Sequence, residues 1–382
     1  MSKKKFFIVT TMAQSLGFFS GQLKMLNATF DVCAISSTPE LLKKYGKSEG
    51  IRTHNIPMKR SISFFWDIWC LLCFIVFFLK ERPSIVHGNT PKGAMLSMMA
   101  SWLTHRPVRI YMCHGLRYQG ATGLMRKLLM QIERLTCACA TEILCVSRGL
   151  ADRLIADGVC TANKARVIGF GSAGGIDLER FSDATVDASQ VRTELGFSDK
   201  DFVFCFVGRI VKDKGVNELV EAFNRLNKEY KHIHLLLIGP YESNQDPVKQ
   251  QTINLINDNK NIHNLGLQLD VRPYIKASNA LVLPSYREGF GMVLIEAGAL
   301  GIPSITTNII GCNEIVVCGE NGDTIEPRNT EQLYDKMKDW VINCEKVSTM
   351  GCNARRLVEK RFDCHYVWAL YIEEYKRLAE SC

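Results

Sequence analysis

Short apolar runs rich in Ile and Val recur along the first half of the chain, and each is bounded by turn residues. Such runs predict buried β-strands, and the longer segments between them predict helices. The predicted strands are 6–10, 32–36, 51–56, 84–87, 108–111 and 142–146. The predicted helices are 21–28, 39–45, 64–80, 92–103, 122–140 and 148–157. Strands that alternate with helices predict a mostly parallel sheet covered on both faces.

The second half of the chain repeats this alternation. Strands are predicted at 202–207, 233–238, 262–264, 280–283, 303–306 and 322–325. Helices are predicted at 216–228, 247–258, 270–277, 292–300 and 330–343, and an amphipathic helical tail at 348–379. Residues 169–190 are rich in Gly, Ser and Asp without sustained periodicity, so they are the predicted linker.

The predicted fold class is therefore α/β, with two doubly wound parallel-sheet domains, 1–180 and 181–363. A chain of 382 residues is long for a single core, which agrees with two domains. The last segment, 364–382, is expected to pack back on the first domain as a helix. In such sheets ligands bind beyond the carboxyl ends of the strands, so polar and Gly-rich residues just after strands are the candidate site.

One helical segment, "SISFFWDIWCLLCFIVFFLKERPSIVH" at 61–87, is unusually apolar. Spanning a bilayer takes about 20 mostly apolar residues. Asp67 interrupts this run and leaves 12 uncharged residues from Ile68 to Leu79, so we predict a covering helix and not a membrane span. The apolar stretch near the N-terminus is too short for a signal peptide. We expect the protein to remain in the cytoplasm.

Cysteine content and charge add two constraints. The 15 cysteines are scattered, and neither the C-x-x-C at 70–73 nor the C-x-C at 137–139 has a second pair at metal spacing. We therefore expect buried thiols in a reducing compartment and no bound metal. Residues 1–180 carry 24 Lys and Arg against 11 Asp and Glu, a net +13, whereas the remainder is net −5. This asymmetry predicts an anionic partner for the first domain.

The most informative motif is "LPSYREGFGMVLIEAGALGIP", 283–303. A strand ends in a loop that contains Glu288, and a helix begins near Gly291 and carries Glu296. Glycines allow close approach to a ligand, and a helix N-terminus offers free N–H groups to a phosphate. The two carboxylates can accept hydrogen bonds from sugar hydroxyls and from a ribose diol. The alternative from the residues alone is a capped helix with surface glutamates.

Two further motifs follow strands. In "FVFCFVGRIVKDKGVNELVEAF", Arg209 and Lys214 follow a strand and can neutralise a diphosphate, unless they are solvated surface cations. In "RIYMCHGLRYQG", His114 follows a strand and precedes Gly115. Its alternative is a structural histidine.

Together these motifs resemble the retaining glycosyltransferases of family 4. The resemblance rests on the E-x7-E pattern of Glu288 and Glu296 with Arg209 and Lys214 upstream, and it extends along nearly the whole chain. Further segments resemble the branch that builds capsule, O-antigen and exopolysaccharide units, namely "SLGFFSGQ", "IVHGNTPKGA", "HGLRYQG", "GSAGGIDLERF" and "VLPSYREGFGMVLIEA". The resemblance implies the GT-B fold, in which two Rossmann-like domains face each other across a cleft. The first domain then binds the acceptor and the second the nucleotide-sugar.

The resemblance also implies roles for individual residues. Arg209 and Lys214 are expected to hold the donor diphosphate and to stabilise the leaving nucleoside diphosphate, without a metal or other cofactor. Glu288 is expected to contact the transferred sugar and Glu296 the ribose. The backbone at Gly289, Phe290 and Gly291 is expected to lie along sugar and phosphate.

In the first domain, the resemblance implies that His114 faces the reacting sugar. Many relatives carry adjacent glycines in the loop after the first strand, whereas here Gly17 and Gly21 are separated. Gly17 is therefore only a weak candidate for donor binding.

The apolar helix also suggests a membrane surface. A stripe through Ser63, Asp67 and Cys70 is expected to face outward, because it holds the only charge of the run. That stripe continues through Phe74 and Phe77, and Trp66 lies near the same end; tryptophan favours membrane interfaces. Trp66, Phe74 and Phe77 are thus predicted to contact a membrane that attracts the nearby basic residues. The alternative is that other segments of the chain bury this face.

The sequence therefore predicts a retaining hexosyltransferase that extends a polyprenyl-diphosphate-linked saccharide in surface polysaccharide biosynthesis. UDP-N-acetylhexosamine is the predicted donor, and the enzyme is expected to be peripheral on the inner face of the cytoplasmic membrane. The alternative function is transfer to a soluble small acceptor. Binding of nucleic acid is not expected, because it leaves the charged motifs of the second half unexplained.

Overall fold

The computed structural model describes residues 3–182, 184–242 and 246–380. The chain divides into two compact units. The first unit comprises residues 1–175 together with 365–382, and the second comprises residues 176–364. Each unit is built around one sheet, and all described strand pairs within the two sheets are parallel.

The sheet of the first unit has seven strands in the order β3-β2-β1-β4-β5-β6-β7. The strands are β1 Lys5–Met12, β2 Asp31–Ser37, β3 Arg52–Asn55, β4 Ile85–Gly88, β5 Val108–Cys113, β6 Glu142–Cys145 and β7 Ala165–Val167. The helices are α1 Gln22–Thr29, α2 Pro39–Glu49, α3 Phe64–Glu81, α4 Pro91–Leu103, α5 Gly123–Cys139 and α6 Arg148–Ala156, with α14 Cys364–Glu380 at the end of the chain.

The sheet of the second unit has six strands in the order β10-β9-β8-β11-β12-β13. The strands are β8 Phe202–Val207, β9 Ile233–Ile238, β10 Ile262–Gly266, β11 Ala280–Leu283, β12 Ser304–Thr307 and β13 Gly322–Ile325. The helices are α7 Ser189–Glu194, α8 Val216–Glu229, α9 Gln250–Asp258, α10 Arg272–Lys276, α11 Met292–Ala299, α12 Thr330–Ile342 and α13 Cys344–Phe362.

Both sheets are covered on two faces, and this explains their composition. Strand β1 buries six of its eight residues, and the central strand β8 buries five of six. A strand buried on both faces has no polar side, so its sequence is a continuous apolar run and not an alternating one. These runs are the pattern that predicted the strands. The predicted α/β class with doubly wound parallel sheets is confirmed.

The helical tail predicted at 348–379 consists of two helices. α13 ends at Phe362, and α14 begins at Cys364, where the sequence predicted that the last helix begins. Asp363 is extended between them and pairs with Ile176 in an isolated parallel bridge. Ile176 N–H donates to Phe362 O at 2.8 Å, and Cys364 N–H donates to Ile176 O at 3.0 Å. The chain thus enters and leaves the second unit through two backbone segments that are hydrogen-bonded to each other.

Each sheet has one point where the strand order reverses direction. In the first unit this point lies between β1 and β4, and in the second it lies between β8 and β11. Loops that leave such strands at their carboxyl ends diverge to opposite sides and form a crevice where ligands bind. In the part of the chain described here, no helix has both the length and the apolar character needed to cross a membrane.

Candidate active site

The charged motifs of the second half meet at the reversal point of the second sheet. Arg209 and Lys214 follow β8, and Glu288 follows the neighbouring strand β11. Lys214 lies in a short 3-10 turn that ends at Gly215, the residue before α8. Gly215 has φ of 70°, and a Cβ there would lie 2.0 Å from the carbonyl oxygen of Pro284. Glycine at this position therefore lets the Lys214 turn pack directly against the end of β11.

Both candidate cations are paired with carboxylates. The Lys214 ammonium donates to Glu288 Oε1, and the same oxygen accepts a 2.8 Å hydrogen bond from Ser285 Oγ. Arg209 donates to Glu242 Oε2 at 2.6 Å. A charge-assisted hydrogen bond of this kind lowers the free-energy cost of holding each cation in a fixed position. Any anionic ligand of these cations would therefore have to compete with two carboxylates.

The loop at residues 289–291 is shaped by a close backbone contact. Gly311 has φ of 79°, and a Cβ there would lie 2.5 Å from Gly289 O. Gly291 N–H donates to Gly311 O at 3.1 Å, so this amide is not free for a phosphate as the sequence suggested. Within the described residues, the amides of Phe290 and Val293 make no hydrogen bond. These two, at the start of α11, are the groups that can donate to an anion.

Glu296 lies in the second turn of α11 and is half-buried. Its carboxylate makes no hydrogen bond or ion pair within the described ranges. Burial raises the pKa of Glu296 to about 7, and the charge of Arg180 opposes this shift. A carboxylate that is desolvated and has no partner in its own fold is suited to accept hydrogen bonds from a ligand.

In the first unit, the loop after β1 passes through a 3-10 segment that contains Gly17. Two amides at the start of α1 are already occupied, since Gly21 N–H and Lys24 N–H donate to the carboxylate of Glu49 at 3.0 and 3.1 Å. These groups are the ones a helix N-terminus normally offers to a phosphate. They are not available here, and the proposed contact of Gly17 with the donor stays a prediction.

His114 belongs to a buried hydrogen-bond chain that starts in the last helix. Tyr375 Oη lies 3.0 Å from His87 Nε2, and Asn89 Nδ2 lies 2.9 Å from His87 Nδ1. Asn89 Oδ1 in turn lies 3.1 Å from His114 Nε2. Asn89 Nδ2 also donates to the carbonyl oxygen of His87, which can only accept, and this fixes the orientation of the amide.

The orientation of Asn89 sets the protonation of both imidazoles. His87 Nδ1 accepts from the amide, so its proton is on Nε2 and faces the Tyr375 hydroxyl. His114 donates from Nε2 to Asn89 Oδ1, which leaves His114 Nδ1 without a proton. Burial lowers the pKa of His114 to about 4 and that of His87 to about 3. Both rings are therefore neutral at pH 7.

The sequence identified the charged residues of the second unit and His114 but missed several of their partners, among them Asn89, Glu242 and Glu49. Asn89 follows β4 at the reversal point of the first sheet, so the rule that selected His114 could also have selected it. Glu242 and Glu49 gave no such signal, because each acts as the partner of a group that is distant in sequence. The sequence-predicted residues fall into two sets: His114 and Gly17 in the first unit, and the charged residues in the second.

The apolar helix α3 faces the opposite way from the prediction. Phe74 is fully buried with Cys70 and Phe78, and Phe77 is half-buried with its ring stacked 3.7 Å from that of His54. The assignment of Phe74 and Phe77 to a membrane-facing stripe is therefore wrong. The physical reason is Asp67, which pairs with Lys92 of α4 at 2.7 Å and so places the single charge of the run on the inner side.

The outer face of α3 is even more apolar than the stripe that the sequence predicted to face outward. Phe65 is 86% exposed and Phe64 71% exposed. Other exposed apolar side chains of α3 are Trp66, Ile68, Trp69, Leu72, Val76 and Leu79. Trp66 retains its predicted exposure, and its indole N–H donates to Pro57 O. An exposed patch of this extent is unusual for a monomeric soluble protein.

Both units match families of known proteins. Residues 187–357 match the model for "Glycosyl transferases group 1", and residues 19–180 match the model for "Glycosyltransferase Family 4". The structure is similar to that of Anabaena Alr3699/HepE in complex with UDP, with a TM-score of 0.80 at 19% identity over 98% of this chain and 100% of that chain. These matches define a glycosyltransferase with the GT-B fold.

Two curated relatives refine the assignment. The chain is 34% identical to the capsular polysaccharide biosynthesis glycosyltransferase CapM of Staphylococcus aureus, over 96% of each chain. It is 26% identical to the UDP-Gal:alpha-D-GlcNAc-diphosphoundecaprenol alpha-1,3-galactosyltransferase of Escherichia coli, over 89% of each chain. The protein belongs to the family 4 (group 1) glycosyltransferases.

Proposed function

We propose that this protein is a retaining glycosyltransferase that moves a hexosyl unit from a UDP-sugar to a polyprenyl-diphosphate-linked saccharide in surface polysaccharide assembly. The observation that carries the proposal is the convergence of Arg209, Lys214, Glu288 and Glu296 at the reversal point of the second sheet. Two cations suit a diphosphate, and two carboxylates suit sugar hydroxyls. The named relatives support this substrate class, since one acts with UDP-Gal on a diphosphoundecaprenol-linked sugar.

The chemistry follows from the charge of the leaving group. The bond between the anomeric carbon and the donor's β-phosphate oxygen breaks, and its electron pair goes to that oxygen. Arg209 and Lys214 stabilise the developing charge on the diphosphate, which is the step that needs catalysis. The acceptor hydroxyl attacks the same face of the sugar and transfers its proton to the departing phosphate oxygen. Attack on the same face retains the anomeric configuration, and no metal or other cofactor is proposed.

The carboxylates are proposed to position the donor. Glu296 accepts from the ribose diol, a role suited to a carboxylate without a partner in the fold. Glu288 contacts the transferred sugar once the diphosphate takes over Lys214, and the backbone at Gly289 and Phe290 lies beside sugar and phosphate. Glu288 thus serves as a counterion before binding and as a sugar ligand afterwards.

The donor sugar proposed is an N-acetylhexosamine. One similar protein is named for its use of UDP-Gal, and another has a structure in complex with UDP-glucose, so a donor panel must include all three classes. Transfer to a lipid-linked acceptor places the protein at the cytoplasmic membrane surface. The support for this location is the net +13 of residues 1–180 and the exposed apolar face of α3.

The test is a transfer assay with the purified protein. UDP-GlcNAc, UDP-Gal and UDP-glucose are each incubated with a prenyl-diphosphate-linked saccharide and, in parallel, with the same saccharide free in solution. Transfer to the lipid-linked acceptor, with the α-linkage of the donor preserved by NMR and with no loss in EDTA, is the expected result. Preferential use of the free saccharide would instead establish the soluble-acceptor alternative. Inversion of the linkage would refute the retaining mechanism.

A further inference from the structure

A cavity lies at the carboxyl edge of the first sheet, away from His114. Its volume is about 560 Å³, and it is formed by the last residues of β1, β2 and β3 and by the segments that follow β2 and β3. Polar lining groups come from Ser37, Thr38 and Asn55, and basic ones from Lys59 and Arg60. Because all strands of this sheet are parallel, this edge is the same one from which His114 emerges. The cavity is therefore on the ligand-binding side of the unit.

The two basic residues of this cavity have no carboxylate partner. Within the described residues, neither Lys59 nor Arg60 makes an ion pair, and both are exposed. The Lys59 ammonium lies 4.6 Å from the ring centre of Trp66, an arrangement that holds the cation without neutralising it. Trp66 is itself fixed by its hydrogen bond to Pro57 O. These cations contrast with Arg209 and Lys214, which are already paired.

The part of the chain that follows the cavity contains very little negative charge. Residues 59–135 hold eleven Lys and Arg but only three acidic residues. Each acidic residue is engaged: Asp67 with Lys92, Glu81 with Lys5 and Arg52, and Glu133 with the Tyr111 hydroxyl. Exposed charge in this part of the chain is therefore almost entirely positive, and it favours an anionic ligand over a neutral one.

The chain leaves the cavity directly into the exposed apolar start of α3. Ser61 lines the cavity, and Ile62 after it is 59% exposed. Phe64 and Phe65 follow, and the apolar face continues to Trp69 and Leu72 along the same helix. A cavity that carries two cations and three polar side chains, next to an extended apolar face, matches a ligand that has a sugar and a diphosphate at one end and a hydrocarbon chain at the other.

We propose that this cavity and the outer face of α3 form the binding site for a prenyl-diphosphate-linked acceptor at an anionic bilayer surface. Lys59 and Arg60 bind the diphosphate, and Ser37, Thr38 and Asn55 bind the adjoining sugar. The prenyl chain leaves past Ile62 and Phe65 into the bilayer on which α3 rests. The inference rests on the proposed lipid-linked acceptor and names the residues that recognise it.

The first experiment measures binding and needs no turnover. Neutral phosphatidylcholine vesicles are compared with vesicles that contain a prenyl diphosphate or phosphatidylglycerol, and co-sedimentation of the whole chain is measured. We expect the tightest binding to the prenyl diphosphate vesicles. The double variant Lys59→Ala with Arg60→Ala is expected to lose about tenfold of that binding. Lys43→Ala with Lys44→Ala, an equal charge change on α2, is the control and should lose little.

The apolar part of the site has its own matched pair of variants. Phe65→Ser is expected to weaken binding to prenyl diphosphate vesicles severalfold, whereas Ile342→Ser, which removes an exposed apolar side chain from the second unit, should not. Equal binding to phosphatidylglycerol and prenyl diphosphate vesicles would overturn the diphosphate site. Equal losses in test and control variants would overturn the assignment to this surface.

The second experiment separates this inference from the proposed function. The KM for a prenyl-diphosphate-linked saccharide should rise about tenfold in the Lys59 and Arg60 double variant, with kcat and the Kd for UDP unchanged. If the wild type transfers to the lipid-linked acceptor but this KM does not change, the site is refuted and the function stands. If the wild type transfers to no lipid-linked acceptor, the function fails, and the vesicle experiment alone decides whether the site binds the lipid.

Discussion

The two sheets use the same architecture but prepare their carboxyl edges in different ways. At the edge of the second sheet, Arg209 and Lys214 are each paired with a carboxylate. At the edge of the first, His87 and His114 are neutral, Lys59 and Arg60 are exposed and make no ion pair with any described residue, and an apolar helix face lies beside them. The edge of the second sheet thus suits a small, highly charged ligand that displaces the carboxylates from the two cations. The edge of the first sheet suits an amphiphilic ligand that binds at the exposed surface.

The largest expected effect tests the inner face of α3. Phe74→Ala should destabilise the first unit by about 3–5 kcal/mol, because it leaves a cavity at a fully buried aromatic position. Phe65→Ser on the outer face should change stability by about 0.5 kcal/mol or less. Urea unfolding followed by tryptophan fluorescence suits this comparison, since Trp66, Trp69, Trp102 and Trp368 are in the first unit and only Trp340 is in the second. Equal effects of the two variants would contradict the observed orientation of α3.

The next effect tests the paired cations of the second unit. Lys214→Ala should lower kcat by about 10²–10³-fold, because it removes a cation from the departing diphosphate. Lys212, exposed in the same turn, provides the matched control, and Lys212→Ala should retain nearly full activity. The measurement is steady-state transfer at saturating donor. A Lys214 variant with normal kcat would remove this residue from the proposed site.

A third effect tests the neutral histidines of the first unit. Asn89→Asp places a carboxylate between His87 and His114, which stabilises both imidazolium forms and raises both pKa values. Since the pKa of His114 is about 4 in the native protein, the variant should lose activity at a higher pH as acid is added. The pH profile of kcat/KM and histidine NMR titration measure this shift. An acid limb at the same pH in both proteins would exclude coupling through Asn89.

A smaller effect is expected for the pH dependence of donor binding. With a pKa of about 7, Glu296 is mostly ionised at pH 8 and mostly protonated at pH 6. If the ionised form binds the ribose, the Kd for UDP-glucose should rise by about tenfold from pH 8 to pH 6. Calorimetry at both pH values gives the ratio of the two Kd values, and in Glu296→Gln this ratio should be close to one. A native ratio near one would show that Glu296 does not bind through its charge.

Because proton binding by Glu296 is linked to folding, its raised pKa also determines whether stability rises or falls with pH. Its folded-state pKa is raised, so the folded state binds a proton more tightly than the unfolded state. Stability of the second unit should therefore fall as pH rises from the ordinary glutamate range through about 7. Bound nucleotide should offset this loss at high pH, where the carboxylate is charged.

The smallest effect concerns the partner of Arg209. Glu242→Gln removes the carboxylate that competes with the donor diphosphate, so donor affinity should increase by a few-fold. The pair is partly exposed, and solvent screening keeps the effect small. Weaker donor binding in this variant would mean that Glu242 positions Arg209 and does not compete for it.

The sequence predicted features that depend on local pattern. Strand β8 was located from its apolar run, and Arg209 and Glu288 were selected because they follow strands. Features that depend on distant partners could not be predicted. Tyr375 and His87 are 288 residues apart, and nothing in either segment indicates the other. The orientation of α3 was mispredicted for a similar reason, since the partner that turns Asp67 inward, Lys92, belongs to the next helix.

The backbone bridge between Ile176 and Asp363 has a consequence for engineering the protein. The second unit is an insertion in the first, and its two ends are held side by side by hydrogen bonds of 2.8 and 3.0 Å. Segments whose ends are adjacent can be excised, transplanted or circularly permuted with little strain. Residues 176–364 can therefore be exchanged between relatives as one segment. Exchanging this segment alone would show which unit selects the donor sugar.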